Sequence, residues 1–516
     1  MCRAAALIVC LLMLATTALS LQAGDWPQWA GSNAKNMVSQ EKGLPETFTP
    51  GEKRADGKID LATARNVRWG VRLGSAIYST PSISNGKVFV GAMEQGNGLM
   101  VCLDAGTGKV LWKWKAPPKK LPYDIDGFHL GVNEIPAQMG VCSSPAVNGG
   151  RVYFVSPRFE VVCLDIKGLT GARSGEARAH WVFDMEEKVG DFPCDTANGS
   201  PIIDGDLLYV TTSNGIDRNS FSDPGKEKNR KFPAPNAPNL IVLDKRTGRL
   251  VATDDLHIAD HMLHGQWSSL SMGKVGGRKL LFFGAGDGRC YAFEALGSVP
   301  KRPVRLKTVW WYDCIPTEYK AAAGEDPITH YCLGDRRVKG TLNKNDGTFV
   351  GMSEIVGTPV LAGDRLYVAL GRDPEHGRGR GALHCVDASG TGDITQSGRV
   401  WLYQGLDRTL STASVADGLV YLSDVAGRLH CLDAETGKCF WIHDTQSQTW
   451  GSTLVADGRV YMPTSKYLWI LKAGQTLEVL DRINLGSRLC ASPVVATGTL
   501  YLGTVGGWLW AVGKGK

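Results

Sequence analysis

The chain has 516 residues, including 63 glycines and 15 tryptophans, and a formal net charge of +6. This length accommodates two to four ordinary domains or one large β assembly, and the high glycine content favours many turns over long helices. The small net charge, without a run of Lys or Arg, argues against a nucleic-acid-binding or membrane-surface protein.

Residues 1–23 have the pattern of a cleaved secretory signal. One Arg precedes an apolar stretch of roughly 15 residues that ends in small residues, and cleavage after Ser20 or Ala23 fits this pattern. Cys10 lies inside the apolar stretch, which argues against a lipoprotein anchor. No later stretch is apolar for about 18 residues, so no membrane span is predicted. We therefore expect an exported protein, periplasmic or extracellular, in which residues 24–65 form an N-terminal extension.

Copies of one unit fill residues 66–516, and the clearest are CLDAGTGKVLW (102–112) and CLDAETGKCFW (431–441). Each unit contains small residues, an apolar run, a tight turn such as Asn-Gly, a second β run, an Asp-x-x-Thr-Gly turn and usually a Trp. This pattern predicts four short strands per unit. There are eight copies, and their first halves span residues 79–91, 143–155, 199–211, 267–284, 357–369, 411–423, 451–463 and 491–503.

Four-stranded units of about 40–60 residues cannot bury both faces alone, which predicts an all-β, eight-bladed β-propeller of four-stranded antiparallel blades over residues 66–516. The last unit, ending in WLWAVGKGK, lacks one strand. The segment NVRWGVRL (66–73) supplies it, with Trp69 at the repeated Trp position. We therefore expect this N-terminal strand to pair into the last blade and close the ring.

The repeated tryptophan is interpreted as structural, because its ring is broad enough to cover the gap between neighbouring sheets. Ala252 replaces it in the third unit. The positions are Trp69, Trp112, Trp181, Trp310 or Trp311, Trp401 and Trp441.

Removal of residues 1–23 leaves eleven cysteines, so at least one thiol has no intrachain partner. Cys314 and Cys332 share a long loop and are the candidate disulfide of an exported protein. Cys142 and Cys490 are interpreted as free buried thiols or as channel-lining residues. Five cysteines are expected at one point of the repeated strand, as small buried side chains: Cys102, Cys163, Cys290, Cys385 and Cys431. His384 and His430 lie within predicted strands and are interpreted as packing residues.

The longest insertions all belong to connections on one face of the predicted ring, at 115–140, 212–238, 253–266 and 312–355. Loops on a rigid scaffold usually carry binding, so we expect a protein or small-molecule ligand at this loop-rich rim. Loops 166–180 and 295–308, on the opposite face, are interpreted as solvated. The polar residues of the rim are His129, Asn133, Glu134, Asn214, Asp217, Asp260, His261, His264, Arg372, Asp373 and His376.

His261 and His264, in DHMLHGQW, have a spacing at which both could bind one metal ion, with Asp260 as a third ligand. A packing role within the loop is the alternative.

The units LDAGTGKVLW and LDAETGKCFW resemble the pyrroloquinoline-quinone (PQQ) repeat, and the resemblance covers about residues 66–516. This repeat forms the eight-bladed quinoprotein alcohol dehydrogenases and also a cofactor-free outer-membrane assembly propeller. The stretches DWPQWAG, NEIPAQMGVCSSP, YVTTSNGID and HGQWSS are similar to exported bacterial PQQ-like propellers of unassigned activity. The resemblance implies the fold, whereas one fold of this kind hosts both catalysts and scaffolds.

The resemblance also implies a cofactor site. YVTTSN is similar to the dehydrogenase stretch whose Asn binds calcium beside the quinone, which points to Asn214. Glu160 lies roughly where the family has its calcium-binding Glu, and Asp260 lies in the region of the catalytic base. The chain departs from the quinone enzymes because it has no adjacent Cys-Cys pair and no haem motif.

The leading hypothesis is therefore an exported propeller that acts as a binding or scaffold module. The alternative is a PQQ- and calcium-dependent dehydrogenase of small alcohols or sugars, with Asp260 as base and Asn214 and Glu160 as cofactor-binding residues.

Overall fold

The repeat units fold as eight antiparallel sheets, which we number as blades 1–8 in chain order with strands counted outwards from the first. The structure is a computed structural model. It describes residues 24–117, 139–193, 196–215, 233–258, 262, 265–322, 354–371 and 380–514.

The strands of each blade follow one another in sequence, except in blade 8. Blade 1 contains Ser82–Ser84, Lys87–Glu94, Asn97–Asp104 and Val110–Lys115; blade 2 contains Ala146–Asn148, Arg151–Val155, Glu160–Asp165 and Ala179–Asp184; blade 3 contains Ile202–Asp204, Leu207–Thr211, Leu240–Asp244 and Leu250–Thr253; blade 4 contains Leu270–Val275, Arg278–Gly284, Arg289–Glu294 and Thr308–Asp313. Blade 5 contains Val360–Ala362, Arg365–Leu370, Ala382–Asp387 and Arg399–Tyr403; blade 6 contains Ser414–Ala416, Leu419–Ser423, Arg428–Asp433 and Cys439–Asp444; blade 7 contains Leu454–Ala456, Arg459–Pro463, Leu468–Lys472 and Val479–Ile483; blade 8 contains Val494–Ala496, Thr499–Gly503, Trp508–Val512 and Val67–Arg72.

The tight hairpins and apolar runs of the sequence explain these strands. Asn85 and Gly86, with φ of 53° and 69°, form the turn between the first two strands of blade 1. Second strands such as Leu207–Thr211 are buried along their whole length, because each blade packs between two neighbours.

The chain closes the ring as expected. Val67–Arg72 pairs antiparallel with Trp508–Val512, and Trp69 stands opposite Ala511. The eighth blade therefore combines both ends of the propeller sequence, and the predicted closure by the N-terminal strand is confirmed.

A ring of hydroxyl groups joins the blades at the start of their first strands. The amide of each residue donates to the side-chain oxygen of its counterpart in the next blade, at 2.8–3.2 Å, for seven of the eight pairs. In the eighth pair, Thr358 Oγ1 instead accepts from Trp29 Nε1 at 3.1 Å. The ring consists of Thr80, Ser144, Ser200, Ser269, Thr358, Thr412, Ser452 and Ser492.

A tryptophan on the fourth strand joins six pairs of neighbouring blades. In blade 1, Trp112 Nε1 donates to the oxygen of Ile166, in the turn after the third strand of blade 2, at 3.0 Å. A Cβ atom at Gly168 would lie 2.5 Å from the Trp112 ring, so the turn needs glycine there. The same hydrogen bond, at 2.9–3.2 Å, is made by Trp69, Trp181, Trp310, Trp401 and Trp441.

Blade 4 resolves two points of the repeat that the sequence left open or placed wrongly. Trp310, rather than Trp311, occupies the repeated position, because Trp310 makes the hydrogen bond to blade 5. The expected equivalence of Cys290 with the other four strand cysteines is wrong. Ala292 pairs with Trp310, whereas Cys290 pairs with Tyr312, because the bulge in this blade falls after Ala292.

The N-terminal extension occupies one mouth of the central channel. We call this the lower face; it carries the hairpins between first and second strands. Residues 26–37 hydrogen-bond to the first strands of seven blades, and those strands line the channel, so this segment lies inside the ring. The contacted residues, in blade order, are Ile83, Val147, Ile203, Met272, Leu361, Val415 and Val455.

We call residues 26–37 the N-terminal plug. Lys35 is buried within it. Its Nζ atom donates to the oxygen of Trp29 at 3.0 Å and to Gln28 Oε1 at 3.3 Å. Burial lowers the pKa of Lys35 to about 7. Trp26 and Met37 are also buried in the plug. The lower mouth is therefore closed by a densely packed segment.

The lower-face loops at 166–180 and 295–308 are not simply solvated, as the sequence had suggested. Val304–Arg305 pairs in parallel with the fourth strand of blade 3, and Glu176 forms a parallel bridge with Lys113 in blade 1. Most side chains of both loops are exposed, as expected, and the pairing of each loop with the neighbouring blade is the feature that the sequence did not predict.

The upper face carries the connections from second to third strands and from each blade to the next. The two short α-helices of the described residues, Met185–Val189 and Thr317–Ala322, lie in these connections. None of the helices in the described ranges has the length and apolar character needed to cross a membrane.

Candidate functional site at the upper mouth

The upper mouth of the channel is formed by the residues just before the ring of hydroxyls. Trp267 is buried, and the other seven residues are half-buried. In blade order they are Tyr78, Cys142, Asn198, Trp267, Val356, Leu410, Trp450 and Cys490.

Aromatic and thiol groups from blades 8, 1 and 2 meet at this mouth. Tyr78 lies near both Cys142 and Cys490, and its burial, with these thiols, raises its pKa. The Arg488 guanidinium lies 5.3 Å from the ring centroid of Trp450. Both cysteines are free thiols, and burial raises their pKa values to about 12 for Cys142 and about 11 for Cys490. They are therefore protonated at neutral pH and poor nucleophiles.

Asn214 lies beside this mouth, but its side chain is engaged by the protein. Its Nδ2 atom donates to the oxygen of Ala234 at 3.1 Å, and its Oδ1 atom accepts from the amide of Phe192 at 3.4 Å. Gln266 Nε2 also donates to the main-chain oxygen of Asn214, at 3.2 Å. Asn214 therefore holds together three connections of the upper face.

Asp254 is the acceptor at the centre of the same network. It receives hydrogen bonds from the amides of Asn239 and Leu240 and from Asn239 Nδ2, at 2.7–2.9 Å, and one from Leu256 at 3.1 Å. Burial nevertheless raises its pKa above the usual value. Four donors around one buried carboxylate indicate a structural role for this residue.

Glu160 begins the third strand of blade 2, and its carboxylate also has protein partners. Arg158 NH2 lies 3.0 Å from Glu160 Oε1, and Ser156 Oγ donates to Oε2 at 3.1 Å. A guanidinium at this distance neutralises the charge that a bound cation would need.

Asn214 and Glu160, as arranged, do not fit a calcium site. Calcium takes six to eight oxygen ligands, whereas Asn214 Oδ1 accepts an amide hydrogen and Glu160 is paired with Arg158. Asp260, the expected base, lies outside the described residues, as do His261 and His264 of the suggested metal site. Those roles stay predictions. Within the described ranges, no group of three or more His, Cys, Asp or Glu side chains could hold a metal ion.

A group of buried oxygen atoms without hydrogen-bond partners was not anticipated. Burial raises the pKa of Asp191 well above its usual value, although the Thr212 hydroxyl and the Phe192 amide lie close enough to lower it in part. Buried polar atoms normally have partners, so a group of exceptions on one face suggests a bound molecule or water. Sequence reasoning missed these residues because Ser, Thr and Asn in loops are too common to signal a site. The seven atoms are Asp191 Oδ1 and Oδ2, Thr196 Oγ1, Asn198 Oδ1, Thr211 Oγ1, Ser213 Oγ and Gln266 Oε1.

The remaining sequence candidates either pack within the blades or lie outside the described residues. Cys314 is a free buried thiol, and Cys332 lies outside the described residues, so their disulfide stays a prediction without support from the structure. His384 and His430 pack in the blades, each 3.0 Å from the hydroxyl of a tyrosine on the preceding blade. The rim residues outside the described ranges are His129, Asn133, Glu134, Asp217, Arg372, Asp373 and His376.

Comparison with known protein families gives one family whose pattern matches most of the chain. Residues 55–296 and 395–512 match the family described as outer membrane protein assembly factor BamB. The chain belongs to this family. A comparison with curated proteins found no match.

Solved structures are similar to this BamB-family chain at low sequence identity. BamB from Moraxella catarrhalis is 14% identical, with a TM-score of 0.52, over 86% of this chain and 96% of that one. A europium-containing methanol dehydrogenase is 12% identical, with a TM-score of 0.47, over 93% and 89%. The quinohemoprotein alcohol dehydrogenase from Comamonas testosteroni is 13% identical, with a TM-score of 0.46, over 96% and 81%. At 14% identity the likeness to the Moraxella protein concerns the fold alone.

Proposed function

We propose that this protein is an exported propeller that acts as a binding or scaffold module, with its ligand held at the upper mouth. The observation that carries the proposal is the set of buried oxygens without hydrogen-bond partners in the upper-face segments of blades 2–4, including both oxygens of Asp191. A ligand that donates hydrogen bonds or carries a positive charge would satisfy these acceptors.

A protein ligand is favoured over a small molecule. The family is described as an assembly factor, and the longest insertions of the sequence leave from and return to the upper face. Loops of that kind, on a rigid ring, present a broad surface rather than a narrow pocket.

A photo-crosslinking experiment tests the location of the ligand. A benzophenone amino acid is placed at Leu410 in the upper mouth, or at exposed Asn85 on the lower face as the matched control, and the protein is irradiated in its exporting host. We expect one saturable adduct from position 410 that Asp191→Asn weakens, and none from position 85. Equal labelling from both positions would contradict the proposal.

The dehydrogenase is the second candidate, because acceptor oxygens such as those of Asp191 and Asn198 are also the atoms that calcium prefers. Purified protein is titrated with calcium alone and with calcium plus PQQ, and melting temperature, quinone absorbance and dye reduction with a panel of alcohols are recorded. We expect no stoichiometric quinone binding. Binding with turnover that Asn214→Ala and Asp260→Ala abolish would establish the dehydrogenase instead.

A further inference from the structure

The outer edges of the blades are of two kinds. In blades 1, 3, 4 and 8, another segment of the chain pairs with the fourth strand. The covering segments are residues 175–177 on blade 1, Val304–Arg305 on blade 3, Gly392–Asp393 on blade 4 and residues 57–58 on blade 8.

The length of one connection determines which edges are covered. The segments on blades 1, 3 and 4 come from the connection between the third and fourth strands of the following blade, over 166–178, 295–307 and 388–398. In blades 3, 6 and 7 this connection is a short turn, so the edges of blades 2, 5 and 6 have no such cover. In the described residues, no strand pairs with the outer edge of blade 7 either.

Exposed apolar side chains mark the uncovered edges. Every large apolar side chain that is exposed on a described fourth strand belongs to blade 2, 5, 6 or 7, with exposed fractions of 39–49%. Blades 5, 6 and 7 are neighbours, so they form one continuous outer wall. The residues are Val182, Val400, Ile442, Val479 and Leu480.

The covered blades show how such an edge is filled. On blade 3, the amide of Leu306 donates to the oxygen of Thr253 at 2.8 Å; on blade 4, the amide of Ile394 donates to the oxygen of Trp311 at 3.0 Å. The donor follows a two-residue parallel strand, and its own side chain is only 4% exposed for Leu306 and 1% for Ile394. The edge thus takes a short extended segment and one aliphatic side chain.

The uncovered edges offer the same main-chain groups. The accepting residues, Thr253 and Trp311, each follow the repeated Trp position, and Leu402 and Ile442 hold this place in blades 5 and 6. In blade 1, the equivalent Lys113 directs both its amide and its oxygen outward, to residues 175 and 177. Leu402 and Ile442 have no such outward hydrogen bond within the described ranges.

We infer that the outer wall of blades 5–7 binds an extended segment of another protein. The segment is added as a short parallel strand beside Arg399–Tyr403 or Cys439–Asp444, and its next residue, of Leu or Ile size, covers the apolar side chains of the wall. Strand addition of this kind obtains affinity from the main chain and specificity from alternate side chains. This wall is separate from the upper mouth.

A peptide copied from the chain's own cover tests the inference. The probe is the labelled heptapeptide RPVRLKT (302–308), and its control carries Ser in place of the Leu. Binding to the full-length protein is followed by fluorescence anisotropy. We expect saturable binding of the probe and at least ten-fold weaker binding of the control. No saturable binding at millimolar concentration would overturn the inference.

Variants locate the binding edge. Val400→Lys combined with Ile442→Lys should weaken binding of the probe at least ten-fold, because lysine on an edge strand opposes strand pairing. Leu61→Lys is the matched control, since Leu61 is 51% exposed but lies off the blades, and should leave binding unchanged. Unchanged binding to the double variant would overturn the assignment.

Photo-crosslinking of the unaltered protein does not depend on how the variants fold. A photoreactive leucine in the probe should label residues 399–403, 439–444 or 479–483, and labelling elsewhere would contradict the inference. Sedimentation gives the remaining test. If the protein self-associates and the double variant is monomeric, the wall binds a second copy of this chain, and the inference of a different protein is overturned.

Discussion

The two mouths of the channel have opposite character. At the lower mouth, residues 26–37 are hydrogen-bonded to seven blades and bury Trp26 and Met37. At the upper mouth, buried oxygens such as those of Asp191 and Ser213 have no hydrogen-bond partner, whereas Trp26 Nε1 is the one such side-chain atom within residues 26–37. Both surround the same ring of first strands, yet among the described residues a segment of the chain fills only the lower mouth. The lower mouth therefore stabilises the fold, whereas the upper mouth holds the buried acceptors that we propose a ligand satisfies.

Removal of the plug should have the largest effect. A chain that begins at residue 40 loses the contacts of residues 26–37 and exposes the apolar residues of seven first strands. Burial of each large apolar side chain contributes about 1.5–3 kcal/mol, so we expect the free energy of unfolding to fall by roughly 5 kcal/mol or more. Urea denaturation measures this change. A chain that begins at residue 24 is the control and should retain full stability; equal stability of the two chains would show that the plug is not structural.

Lys35 makes the stability of the lower mouth depend on pH. Its pKa is lowered to about 7 in the folded protein, against an ordinary value of 10.5. Between these values the unfolded chain holds a proton that the folded chain lacks, so the free energy of unfolding rises with pH, by about 1.4 kcal/mol per pH unit.

Lys35→Met should remove this dependence. From pH 7 to pH 9.5, the stability of the wild-type protein should rise relative to the Met variant, as measured by urea denaturation at each pH. Lys42→Met, at an exposed position, is the matched control. Parallel pH profiles for wild type and Lys35→Met would show that Lys35 is solvated and the plug open.

Substitutions of Asp191 and Asp254 distinguish a ligand-binding role from a structural role at the upper mouth. Asp254 accepts four hydrogen bonds, so Asp254→Asn should lower the free energy of unfolding by about 1.5–3 kcal/mol, the range for hydrogen bonds to a charged group. Asp191 is buried, and neither carboxylate oxygen has a hydrogen bond of normal geometry, so Asp191→Asn should raise the melting temperature at neutral pH.

The effect of Asp191 on the free energy of unfolding depends on pH, and its direction is opposite to that of Lys35. Its pKa is raised in the folded state, so the free energy of unfolding falls as pH rises from its ordinary value of 3.8. Asp191→Asn should therefore increase the free energy of unfolding most at neutral pH and only a little near pH 4. Destabilisation by Asp191→Asn at pH 7 would show that Asp191 is structural, like Asp254.

A pair of glycines tests the blade contacts of the lower face, and the quantity compared is the difference between the two substitutions. Gly437 has a φ of 71°, and a Cβ atom there would lie 2.7 Å from the Trp401 ring; Gly458 has a φ of 70° and open space. Alanine at Gly458 should cost about 1 kcal/mol from backbone strain alone. Alanine at Gly437 should cost about 1–3 kcal/mol more because it overpacks the contact. Equal costs by thermal denaturation would contradict the role of Trp401.

The sequence predicted the ring because the pattern that specifies each blade lies within one continuous unit of the chain. Hairpin turns and alternation recur along the chain, and the Trp position recurs in most units, so the pairing of the Trp69 strand into the last blade followed from counting strands. The plug was not predictable in the same way. Residues 26–37 have no periodicity, and they are held largely by main-chain hydrogen bonds that any side chain permits.

The candidate site was predictable only as a face. The positions of the long insertions indicated the upper rim, but Asn214 and Glu160, chosen by resemblance, have protein partners. Asp191 was overlooked because burial, rather than residue type, distinguishes it from other loop aspartates. Such burial arises from packing between blades and cannot be inferred from one unit of the repeat.

Amide hydrogen exchange of the full-length protein tests the difference between the two mouths most directly. Peptides covering residues 26–37 are compared with the first and second strands of blade 7, over 454–463. We expect the two regions to exchange at similar slow rates, because the plug opens only when the ring does. Exchange of residues 26–37 within seconds, while blade 7 stays protected, would contradict the closed lower mouth.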